Sequence, residues 1–282
     1  MQKFPCSGRN DTLNITRGTG RGISEKNRRM LGILHREMSG PFTARDAMVL
    51  LSLDIERTRR FLAYLVDRGW LARVRNGLYI TVPLDALHPA QWREDPWVVA
   101  SKVFAPFYIG GWSACEYWNL TEQIFNETVV VSNQRLRRRH VEIQGFHFLI
   151  KRVSKDKVFG TSVVWRGRTR VPVSDPTRTI VDILDDPGIG GGMRHITEVL
   201  NTYLSNERRD DSRLLEYANR LGNRAVFKRL GYLLETLGVL APNLINVCAR
   251  EKSSGIALLD PTAPRKGRIL RRWNLQINVA GI

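Results

Sequence analysis

The chain has 282 residues, a mass of 32.3 kDa and a formal net charge of +17 at pH 7, from 44 Lys and Arg against 27 Asp and Glu. A hydrophobic fraction of 43% excludes a disordered polycation, and so large a surplus of charge exceeds what a small acidic ligand requires. Composition therefore points to a polyanion, nucleic acid first and an anionic membrane surface second.

Arg supplies 35 of the basic residues and Lys nine. The planar guanidinium fork suits phosphates and guanine edges, although a GC-rich genome produces the same bias. The surplus is spread along the chain, at +7 for residues 1–90, +6 for 91–180 and +4 for 181–282. Cys6, Cys115 and Cys248 are dispersed and odd in number, which gives neither a disulfide framework nor a zinc site. With no apolar signal segment at the start and no apolar run long enough to span a bilayer, the expected location is the cytoplasm. At this length two domains are expected.

Residues 1–23 are rich in Gly, Arg, Thr and Asn without apolar periodicity and read as a flexible basic leader. Met30, Leu31, Ile33 and Leu34 predict a short helix. Thr43 stands three residues before Asp46, a capping-box spacing that opens a helix over 44–51. Asp54 caps a longer helix to about Arg68, with Gly69 as its left-handed terminator. Asn76-Gly77, flanked by β-branched and aromatic residues, predicts a tight hairpin. Three helices and a hairpin over residues 24–84 make a winged helix-turn-helix.

In the third helix, Ile55, Thr58, Phe61, Leu62, Leu65 and Val66 share the core face. Arg57, Arg60 and Tyr64 stack on the opposite face, flanked by Arg59. This architecture lays such a helix in the major groove and its wing along the backbone. The candidate DNA-binding residues are therefore Thr43, Arg45, Arg57, Arg59, Arg60 and Tyr64 from the helices and Arg73, Arg75 and Asn76 from the wing. Arginines placed for solubility are the plainer reading of the same face.

After a proline-bearing connector over 83–91, residues 92–282 read as a larger α+β domain, so the fold class is α+β. Asp95-Pro96 and Asp175-Pro176 each open a helix with proline in its first turn. Ser113 and Glu116 have capping-box spacing, a plainer role for Ser113 than a nucleophile without an activating His. Strands at 128–132, 141–144, 146–151, 163–165 and 169–173 make a small, mostly antiparallel sheet, because their links are too short for helical crossovers. Helices follow at 193–204, 212–221 and 224–237, then short strands at 256–259 and 269–279.

Arg135, Arg137, Arg138 and Arg139 form a second basic patch, open to three readings: phosphate binding, docking of an acidic partner, or a solvated loop. Gly188–Gly192 lacks the lysine and hydroxyl of a phosphate loop and reads as an interhelix link. Glu142 and Gln144, with Asp175, Asp182 or Asp186, only faintly suggest a metal nuclease, and the histidines show no ligand spacing. No catalytic residue, metal site or cofactor is expected.

Several strings, in order and spacing, resemble the AbiEi-type antitoxins and transcriptional regulators of type IV toxin–antitoxin and abortive-infection operons. They are Val66-Asp-Arg-Gly-Trp-Leu-Ala-Arg-Val-Arg-Asn-Gly-Leu-Tyr79, Tyr108-Ile-Gly-Gly-Trp-Ser-Ala114, Leu120-Thr-Glu-Gln123, Asp175-Pro-Thr-Arg-Thr-Ile-Val-Asp182, Lys228-Arg-Leu-Gly-Tyr-Leu-Leu-Glu235 and Leu259-Asp-Pro261. The resemblance implies an autorepressor that binds inverted repeats of double-stranded DNA in its own promoter, leaving dimerisation on DNA open. It also implies an antitoxin domain that counters a nucleotidyltransferase-like toxin by functional rather than stable contact. Only the DNA role falls on particular residues. The alternatives are a nuclease-like enzyme targeted by the winged helix and a pure protein-interaction module.

Overall fold

The computed structural model describes residues 23–83, 85, 86, 88 and 92–282. The expected leader, Ile23 apart, and connector residues 84, 87 and 89–91 lie outside the described residues.

Ser24 opens α1 (Glu25–Glu37) by accepting a hydrogen bond from the Asn27 N–H at 3.3 Å. After β1 (Phe42–Thr43), the capping box forms as its spacing suggests. The Asp46 N–H donates to the Thr43 hydroxyl at 3.2 Å, and the Thr43 N–H donates to the Asp46 carboxylate at 2.8 Å. These bonds start α2 (Ala44–Leu51), which Ser52 stops in the left-handed region at φ 51°. Asp54 caps α3 (Ile55–Asp67) through the Arg57 N–H at 2.8 Å. Beyond Gly69 come β2 (Leu71–Arg75) and β3 (Leu78–Thr81), with the turn at Asn76-Gly77 and Gly77 at φ 75°. The three strands form an antiparallel sheet in the order β1-β3-β2.

The second half opens with α4 (Pro96–Val103), β4 (Phe107–Ile109) and α5 (Gly111–Tyr117). Then come β5 (Glu127–Ser132), β6 (His140–Ile143), β7 (Phe146–Arg152), β8 (Thr161–Arg166) and β9 (Thr169–Ser174). These strands form one six-stranded sheet with β4, in the order β6-β7-β5-β4-β9-β8. A helical layer follows: α6 (Pro176–Asp185), α7 (Met193–Leu204), α8 (Asp211–Leu221), α9 (Ala225–Thr236) and α10 (Pro242–Glu251). A small sheet of β10 (Ala257–Leu258), β11 (Arg268–Leu270) and β12 (Leu275–Ile277) ends the chain. The class is α+β.

The large sheet is more mixed than the short links suggest. The β5/β7 and β4/β9 pairings are parallel, and the other three are antiparallel. The reason is insertion: the β6–β7 hairpin lays its second strand beside β5, so β6 ends at the sheet edge. Ser113 is not a helix cap either. Gly110 precedes the first turn of α5, and the Ser113 hydroxyl inside that helix accepts the Val129 N–H at 3.0 Å. Glu116 accepts the Phe125 N–H at 3.0 Å.

α6 is the central helix, packed against α5, α7, α8, α9 and the sheet. Its Arg178 and Asp182 are 0% and 1% exposed. Arg178 Nε donates to Asp182 Oδ1 at 3.0 Å, and its Nη2 donates to the Tyr108 hydroxyl and the Lys157 carbonyl at 2.9 and 3.0 Å. The Tyr108 hydroxyl donates to Asp182 Oδ2 at 2.9 Å, which ties β4 to α6. Burial disfavours the Arg178 charge, yet Asp182 and Tyr108 outweigh it and hold the guanidinium above its ordinary pKa. At the far side, a Cβ at Gly231 would overlap the Trp273 ring, and the Trp273 indole N–H donates to Glu235 at 2.7 Å. Cys115 and Cys248 are buried free thiols, and burial pushes the Cys248 thiol up to about 12. Replacing either Arg178 or Asp182 with Ala strands its buried partner. Denaturant unfolding of each variant is expected to show a loss of about 3–5 kcal/mol.

Candidate nucleic-acid interface

The candidate residues occupy one helix, one helix start and one hairpin. On α3, Phe61, Leu62 and Leu65 join Leu31, Leu34, Phe42 and Tyr79 in the N-terminal core. The opposite face is left to solvent, with Arg57, Arg59 and Arg60 exposed, whereas Tyr64, expected on that face, is half-buried and packs against the N-terminal core. Arg57 pairs with Asp54 at 3.1 Å and Arg59 approaches Glu56 at 3.9 Å, both on the helix surface. Arg45 and Arg60 have no acidic partner within 4.0 Å among the described residues. Exposed pairs of this kind contribute about 0–1 kcal/mol and exchange readily for phosphate.

Thr43 is committed locally, because its hydroxyl is the acceptor that starts α2. Its partner Asp46 also meets Lys102 of α4 at 3.5 Å. Burial would raise the Asp46 carboxyl, but the Thr43 N–H and Lys102 outweigh it and hold it below the ordinary carboxylate range. The hairpin tip, Arg75-Asn76-Gly77, is exposed, and Arg73 lies over the Tyr79 ring at 6.0 Å.

The hairpin is not free-standing. Leu71 and Tyr79 face the N-terminal helices, while Val74, Leu78 and Ile80 enter the core formed by Trp97, Val98, Phe107, Val171 and their neighbours. A second seam adds polar contacts: Arg168 donates to the His35 carbonyl at 3.1 Å and to the Arg36 carbonyl, and the Thr169 hydroxyl donates to the Ser39 carbonyl. The second domain thus covers one hairpin face and the α1–α2 corner, and leaves the arginine face of α3 exposed.

Further cations lie beside this surface. Arg68 stacks on Tyr64 at 5.5 Å, and Arg68, Arg73 and Arg93 line an open cleft of about 970 Å³ with Trp92 and Gln144. The position of Arg68, four residues after Tyr64 on the same helical face, is its signal in the sequence. Arg93 has no such signal, because the loop after the connector sets its place. The second basic patch, Arg135 to Arg139, is on the link between β5 and β6, away from α3 in the chain.

The acidic residues weighed for a nuclease have other partners. Asp175 caps α6 through the Arg178 N–H at 2.7 Å, Asp182 holds Arg178, and Asp186 accepts the Gly188 N–H at 3.1 Å. Glu142 is exposed on β6. Among the described residues no group of three or more His, Cys, Asp or Glu is placed to hold a metal ion. No described helix is long and apolar enough to cross a membrane.

These features define an α+β protein whose N-terminal helices and hairpin dock on a sheet-and-helix domain. Its fold is similar to that of the RV2827C protein from Mycobacterium tuberculosis. The crystal structure of that protein matches with a TM-score of 0.62 and 16% identity over 92% of this chain and 93% of that one. No family model matches the chain, and no curated protein does.

Because the α3 arginines are exposed and make only surface pairs, the Arg57→Ala/Arg60→Ala variant is expected to keep the parent stability within about 0.5 kcal/mol. Thermal melting of the two proteins in parallel checks this.

Proposed function

We propose that residues 24–84 form a winged helix-turn-helix that binds double-stranded DNA, and that the protein is a transcriptional autorepressor. The observation that carries this reading is the exposed face of α3, where Arg57, Arg59 and Arg60 stand away from the core residues Phe61, Leu62 and Leu65. Arg57 and Arg60 reach base edges in the major groove, where a guanidinium forks onto guanine O6 and N7. Arg45 at the start of α2 and Arg75 and Asn76 at the hairpin tip contact the flanking phosphates and set the register. Thr43 serves by holding α2, and so Arg45, in place. Inverted repeats in the promoter would be occupied by two copies, one per half-site.

The resemblance to AbiEi-type proteins supports the other half of the reading, an antitoxin role for residues 92–282 against a nucleotidyltransferase-like toxin. The chain acts in the cytoplasm and has no catalytic task of its own. Co-expression with a nucleotidyltransferase-like protein encoded beside it tests this part through restored growth.

The DNA reading is tested by titrating the full chain against its own promoter and against random duplex of equal length. Affinity for the promoter should fall steeply with salt, with a log–log slope of about −0.9 per phosphate contacted. The Arg57→Ala/Arg60→Ala variant should lose its preference for the promoter and keep weak general binding. An unchanged preference would remove α3 as the reader.

A further inference from the structure

Arg135–Arg139 is the densest basic run in the sequence and has no part in the α3 reading. The sheet topology decides what it meets. β5 and β7 are parallel neighbours, so both end at the same side of the sheet. The link from β5 to β6 leaves that side and must pass over the end of β7, because β6 lies beyond it. The crossing sets Arg137, Arg138 and Arg139 against Lys151 and Arg152, the last two residues of β7. Together they line a cavity of about 350 Å³ whose acidic member is Asp186.

The link is held at both ends. The Gln134 N–H donates to the Ser132 hydroxyl at 3.1 Å and its side chain reaches the Ala105 carbonyl. The Arg139 carbonyl accepts the Ile150 N–H at 2.7 Å. The cations divide into two sets. Lys151 is largely buried and bonded to Asp185, which also accepts the Asn223 amide at 2.7 Å, and Arg139 pairs with Asp186 at 3.2 Å. Arg137, Arg138 and Arg152 are exposed, with no carboxylate within 4.0 Å among the described residues. Arg137, Arg138 and Arg152 line one cleft beside two cations already paired with Asp186 and Asp185, and an anion with several charges offsets the repulsion among the three. The uncharged lining is aliphatic, Leu136 and Ile150, and offers no ring on which a base could stack.

We infer that this cleft grips backbone phosphates of a nucleic acid without reading its bases, as a second contact site separate from α3. Arg137, Arg138 and Arg152 bind the phosphates, while Arg139 and Lys151, fixed by Asp186 and Asp185, are positioning residues. The site accounts for part of the surplus charge carried outside the N-terminal domain.

The test uses the full chain in the Arg57→Ala/Arg60→Ala background, so that failure of the α3 reading does not affect it. Labelled random-sequence duplex DNA and labelled single-stranded RNA are titrated separately by fluorescence anisotropy at low salt. Adding Arg137→Ala/Arg138→Ala/Arg152→Ala should weaken binding about tenfold or more in at least one arm. The log–log salt slope in that arm should become shallower by about two or three, one contact per arginine. The arm that responds identifies the nucleic acid. The triple Lys replacement, which keeps the charge at the same three positions, should restore most of the affinity and separates loss of charge from loss of structure. The inference is overturned if both arms stay within about twofold of the parent. It is also overturned if the parent shows no binding in either arm, or if the Lys variant binds no better than the Ala variant.

Discussion

The β2–β3 hairpin is buried on both faces, and the arrangement of the whole chain depends on it. Leu71 and Tyr79 complete the N-terminal core from one side, and Val74, Leu78 and Ile80 complete the core of the second domain from the other. Fully burying an aliphatic side chain of this size contributes about 1.5–3 kcal/mol. The hairpin therefore belongs to both halves, and the arginine face of α3 is held at a set angle to the large sheet. The Arg168 and Thr169 bonds to the end of α1 and the loop after it add direction to that apolar seam. A surface fixed in this way spends little conformational entropy on aligning with a partner.

The strings behind the family resemblance are mostly occupied with building the second domain. Gly231 makes room for Trp273, and Glu235 takes its indole N–H. Arg229 is buried and donates to the carbonyls of Leu184, Leu258 and Leu259, joining the end of α6 to the C-terminal strands. Asp260 accepts the Met193 N–H at 2.8 Å and so caps α7, which has no capping side chain of its own. Thr121 meets His195 at 2.8 Å, and the other His195 nitrogen meets the Gly190 carbonyl at 2.6 Å. Residues of this kind describe a fold more than a site. The exposed arginines of α3 and of the β5–β6 link lie outside these strings.

Much of the local structure was legible because it rests on short-range chemistry. Thr43 with Asp46, Asp54, Asp95-Pro96, Asp175-Pro176 and Asn76-Gly77 each act within a few residues, and the elements begin or turn where they stand. α10 carries no such local signal beyond Pro242 in its first turn: it has no capping side chain, and of its ten residues only Leu244 and Cys248 are buried. The same kind of spacing misled at Ser113, where the hydroxyl found a partner on β5, 16 residues away, instead of at a helix start.

The sequence by itself determined the α+β class, the caps and turns, the apolar face of α3 and the arginines opposite it. All of these follow from backbone sterics and from periodicities that repeat within a few residues. Tertiary structure alone decided which strands lie side by side. It buried the second face of the hairpin, setting Val74, Leu78 and Ile80 against Trp97, Val98 and Phe107. It also brought Arg137–Arg139 over Lys151 and Arg152, because a parallel β5/β7 pair ends on one side of the sheet and the link must cross there. Contacts of that kind depend on strand order, which many distant apolar contacts set together and no local motif encodes.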